Sequence, residues 1–114
     1  MEKLKENEID LSPFGMVELT NPKMSIIYDI VSTWTTDPST AHVGRLAAAA
    51  IGVCAVKGLP KYDTDQARPI AYGGQVMDVL LESGVSPATI LEKGMEILTK
   101  LAAMLLKEED VKKK

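Results

Sequence analysis

The chain has 114 residues, room for one domain, with 46% hydrophobic and 25% charged residues, a composition that excludes a wholly disordered, collagenous or low-complexity protein. Thirteen Lys and Arg against sixteen Asp and Glu give a net charge of -3, which removes any global electrostatic reason to bind nucleic acid or an anionic membrane. Aromatic residues make up only 4%, so the core must be built from Leu, Ile, Val, Ala and Met.

The first segment, residues 1–21, mixes charges with isolated apolar residues and is interrupted by Pro13 and Gly15 before Pro22. It reads as an extended arm that packs on the body or on a partner. Its opening run, Met1 to Glu8, lacks an apolar stretch after its charges and so does not read as a secretory signal. A helical domain follows over 22–108, and the residues from 109 to 114 form a charged tail. Asn21-Pro22 is a cap followed by a residue preset for the first turn, and Ile27, Ile30, Val31 and Trp34 fall on one helical face. This predicts a helix from about 22 to 34. Asp37-Pro38 repeats the start signal, and the next helix is predicted from about 38 to 57, before Gly58-Leu59-Pro60.

That second helix contains Leu46 to Val56, an apolar run of 11 residues interrupted by Gly52, whereas a membrane span needs about 20. Its side chains are small enough for neighbouring helices to approach closely on several sides, which makes it the expected central helix. A polar loop over 58–68 leads to a helix at about 69–83, with Ile70, Met77, Leu80 and Leu81 on its buried face and Gly84 as its stop. Ser86-Pro87 starts the last helix. The expected fold class is all-α, a small bundle of about four helices with an extended N-terminal arm.

Catalytic chemistry finds little support. His42 is the sole histidine and Cys54 the sole cysteine, so a Cys/His zinc site and an intrachain disulfide are both excluded within one chain. Cys54 sits among Ala and Val, where burial raises a thiol pKa and leaves it inert. Asp63-Thr64-Asp65 opens like a calcium loop, but Ala67 and Arg68 stand where a ligand and the turn glycine belong. Tyr72-Gly73-Gly74 lacks the Lys-Ser/Thr of a phosphate loop, so these glycines read as sites of close helix contact or a kink. The sequence thus predicts no enzyme, no cofactor and no metal site.

The last helix carries more apolar surface than one core needs. One stripe runs through Ile90, Ile97, Leu101 and Leu105, and another through Leu91, Met95, Leu98, Ala102 and Leu106. One of them is expected to face a partner protein or a second copy, making Leu91, Met95, Leu98, Leu101, Met104 and Leu105 the candidate protein-interaction residues. A homo-oligomer is therefore expected.

Two resemblances sharpen the alternatives. Leu81 to Ile90, with Gly84 at the turn, Val85 as plug and Ser86 as cap, resembles the helix-turn-helix of bacterial repressors. That resemblance implies DNA binding through Ser86, Thr89 and Lys93. Departures from it are Leu80, where a small residue belongs, and Leu91 and Glu92, where a reading helix presents donors. The stretches Gly44 to Cys54, Leu59 to Asp63 and Ala71 to Val85 resemble small helical accessory proteins of tailed bacteriophages and gene transfer elements, tail assembly chaperones in particular. This implies a non-enzymatic cytoplasmic protein that oligomerises and holds an aggregation-prone structural protein before assembly. The rivals are the DNA-binding reading and a small phage inhibitor or adaptor that occupies a host protein.

Overall fold

The computed structural model describes residues 8–36, 40–63 and 68–113. Over these the chain forms β1 (Glu8–Asp10), β2 (Met16–Glu18), α1 (Met24–Thr36), α2 (Thr40–Cys54), α3 (Pro69–Glu82) and α4 (Pro87–Lys113). The fold is all-α in its body, as expected, with four helices and one two-stranded sheet among the described residues.

Helix α2 is central. Every residue from Leu46 to Ile51 is fully buried, because α3 and α4 pack along different sides of it. The run of alanines permits this, and glycines on the partner helices complete it. A Cβ added at Gly73 of α3 would collide with the Arg45 carbonyl, and one at Gly94 of α4 would collide with the Ala47 carbonyl. The two partners therefore touch the backbone of α2 within one turn of each other. Gly74, by contrast, has only the Arg45 guanidinium nearby, with Nε 3.9 Å from where its Cβ would stand. Close contact thus belongs to the first glycine of the pair.

That contact sets the buried face of α3. Tyr72, Gly73, Val76 and Leu80 are buried, whereas the expected core residue Leu81 is 39% exposed and Ile70 and Met77 are half-buried. Backbone contact at Gly73 turns the helix so that its 73–76–80 line faces α2. On α1 the expected face is observed, with Ile27, Ile30 and Val31 buried and Trp34 half-buried. The Asp37-Pro38 start signal lies outside the described residues.

Helix α2 stops at Cys54, three residues before the expected end, because the arm competes for its last backbone groups. The Thr20 amide donates to the Cys54 carbonyl (2.7 Å), the Val56 amide donates to the Glu18 carbonyl (2.8 Å), and Leu19 forms an antiparallel bridge with Ala55. A carbonyl at a helix end has no partner within the helix, so a strand can take it without cost to the helix itself.

From Glu8 onward the arm is itself a folded hairpin. Ile9 pairs with Val17 and Asp10 with Met16, and the Leu11 amide donates to the Gly15 carbonyl (2.9 Å) across the turn. Gly15 has φ +127°, a conformation that favours glycine. Two strands of three residues are not stable alone, so the hairpin depends on anchors in the helical body. Leu11 is fully buried and Val17 nearly so, and burying side chains of this size contributes about 1.5–3 kcal/mol each.

The α3–α4 turn follows the capping chemistry of its sequence. The Val85 amide donates to the Leu80 carbonyl (3.0 Å) and the Gly84 amide to the Leu81 carbonyl (3.0 Å), the paired bonds of a Schellman motif. Gly84 has φ +97°, and Leu80 and Val85, at the two positions whose apolar side chains accompany this motif, are both buried. Helix α4 then continues to Lys113, so the segment 109–113, expected as a tail, is a helical extension. Nothing between Leu106 and Lys113 breaks a helix, since that stretch contains neither Gly nor Pro.

Candidate functional site

The six candidate interaction residues on α4 fall into different environments. Leu98 is fully buried and Leu101 2% exposed, so both belong to the protein's own core and neither offers a surface to a partner. Met95, Met104 and Leu105 are half-buried. Leu91 alone among them is exposed, at 42%. The reason is geometric. The two expected stripes lie side by side at Ile97, Leu98 and Leu101, and α2 and α1 both pack against α4, so together they cover residues of both.

Leu91 stands at the rim of an apolar cleft of about 300 Å³, lined by Val43 and Gly44 of α2, Met77 of α3, and Pro87, Ile90 and Leu91 of α4. Three helices therefore contribute to one concave surface. Gly44 shapes its base: a Cβ there would stand 3.4 Å from the Met77 methyl, at the edge of ordinary contact. The missing side chain leaves room for a flexible thioether. Unbranched Met side chains repack against partners of differing shape, which suits an adaptable apolar contact. Of these residues only Leu91 was expected at an interface. The others carry no local signature, because the cleft arises from the meeting of three elements distant in sequence.

A second concavity, a groove of about 390 Å³, lies between the arm and α4. Ile97, Leu101 and Met104 line it from α4, Leu19 and Cys54 from the arm and the end of α2, and its rim carries Glu8, Asp10, Lys93, Glu96 and Lys100. Hydrogen bonds from the Ser12 hydroxyl and amide hold the Asp10 carboxyl below its usual range, and Lys93 adds to this. The Cys54 thiol is pushed up to about 11 by burial, as expected for a packing residue rather than a nucleophile.

The three candidate DNA-contacting residues lie at the start of α4 and one turn further along it. The Thr89 amide donates to the Ser86 hydroxyl oxygen (3.1 Å), and that hydroxyl donates to Thr89 Oγ1 (2.9 Å). Ser86 is thus the N-cap of α4, as its position predicts. Lys93 lines the groove beside the arm.

Two tyrosines organise the loop before α3. The Tyr72 hydroxyl donates to the Pro60 carbonyl (2.7 Å), the Tyr62 hydroxyl donates to Asp29 Oδ2 (3.2 Å), and the rings meet edge to face at 5.1 Å. Burial raises both phenols, Tyr72 to about 12, and for Tyr62 the Asp29 carboxylate adds to the shift. His42 is half-buried on α2. Among the described residues no three His, Cys, Asp or Glu side chains are grouped so as to hold a metal ion, and no helix is long and apolar enough to cross a membrane. Compared with protein-family models, with curated proteins and with solved structures, the chain matches none.

Proposed function

We propose that this chain is a non-enzymatic protein-interaction factor that binds an apolar segment of a partner protein in the cleft around Met77 and Leu91. The observation that carries the reading is the cleft itself. It joins three helices, its base is a flexible methionine, and its rim holds a leucine that is 42% exposed. Leaving a large apolar side chain in water at a concave apolar surface forgoes burial free energy that a bound segment recovers.

In its specific form the proposal is a cytoplasmic tail assembly chaperone-like protein that self-associates and holds a phage structural protein before assembly. Support for this comes from the resemblance over Gly44 to Cys54 and Ala71 to Val85, stretches that include two residues of the cleft, Gly44 and Met77. Tail assembly chaperones act by contact alone, and an adaptable apolar cleft suits that task. The test is aggregation of a tail structural protein from the same source, followed by light scattering with and without an equimolar amount of this chain. Suppression that is lost on Leu91→Lys supports the proposal. Equal scattering with and without the chain overturns it.

A further inference from the structure

We draw no further inference here: the strongest candidate, the groove between the arm hairpin and α4, has a rim carrying both signs of charge through Glu8, Asp10, Lys93, Glu96 and Lys100, and nothing in the structure shows what covers it.

Discussion

Gly73 lies so close to Arg45 that a Cβ on the glycine would overlap the Arg45 carbonyl oxygen. Backbone cannot yield as a flexible side chain does, so Gly73→Ala must separate α3 from α2 or unfold the protein. Overpacking of this kind costs about 1–3 kcal/mol or more. Gly74→Ala meets no such obstacle, and in a helix interior Ala is favoured over Gly by about 0.5–1 kcal/mol. Thermal melts of the two variants should therefore move in opposite directions. A similar response from both would show that α3 does not approach α2 at residue 73.

The cap at Ser86 gives a second expectation. Ser86→Ala removes the acceptor of the Thr89 amide and should cost about 1 kcal/mol, lowering the melting temperature by about 4 °C for a chain of this size. Ser86→Asp retains an acceptor and adds a charge favoured at a helix N-terminus, so it should restore most of the loss. An Ala variant with unchanged melting would place the helix start elsewhere.

Alkaline pH should destabilise the fold over overlapping ranges set by Cys54 and Tyr72, with the raised Tyr62 phenol adding to the loss above about 10. Both Cys54 and Tyr72 are acids whose folded pKa lies above the unfolded value, so between the two values the unfolded chain has released a proton that the folded chain retains. Stability then falls as pH rises, from about 9 to about 11 for Cys54 and from about 10 to about 12 for Tyr72. Cys54→Ala and Tyr72→Phe should each flatten their part of the curve in denaturant titrations at stepped pH. The native thiol should also react slowly with a thiol reagent at pH 8 and quickly in denaturant. Rapid labelling of the native protein would contradict the burial of Cys54.

Leu98 and Leu101, set against Leu91, distinguish core from surface on α4. With both buried, a carboxylate at either position has no partner and costs several kcal/mol, so Leu98→Glu and Leu101→Glu should both abolish cooperative melting by circular dichroism. Leu91→Lys should leave the melt within a degree or two, since surface substitutions usually stay within about 0.5 kcal/mol. A folded Leu98→Glu variant would return that residue to the surface.

The helices and their order are legible in the sequence because caps and stops act locally. Gly84, Val85 and Ser86 specify the α3–α4 turn with three consecutive residues, and the spacing of Ile27, Ile30 and Val31 identifies the inner face of α1. What depends on distant partners is less visible. The end of α2 moves to Cys54 because Thr20, far away in sequence, takes its carbonyl. The hairpin did leave a signal, in the alternation of Ile9 and Leu11 with charged neighbours, then Pro13 and Gly15, then Val17 and Leu19 at the same period of two. On α4, sequence gives the apolar positions but not the breadth of the surface they meet. The cleft at Leu91 is assembled from three helices and has no local pattern at all.

The most direct test of the account is copurification from the native source using tagged wild-type protein and the tagged Leu91→Lys variant, with both first shown to be folded by circular dichroism. The account predicts that the wild type retains a stoichiometric structural protein that aggregates when produced alone, and that Leu91→Lys loses it. A partner retained equally by both proteins would contradict binding through the Leu91 cleft, and a wild type that emerges alone as a monomer would contradict the proposed function.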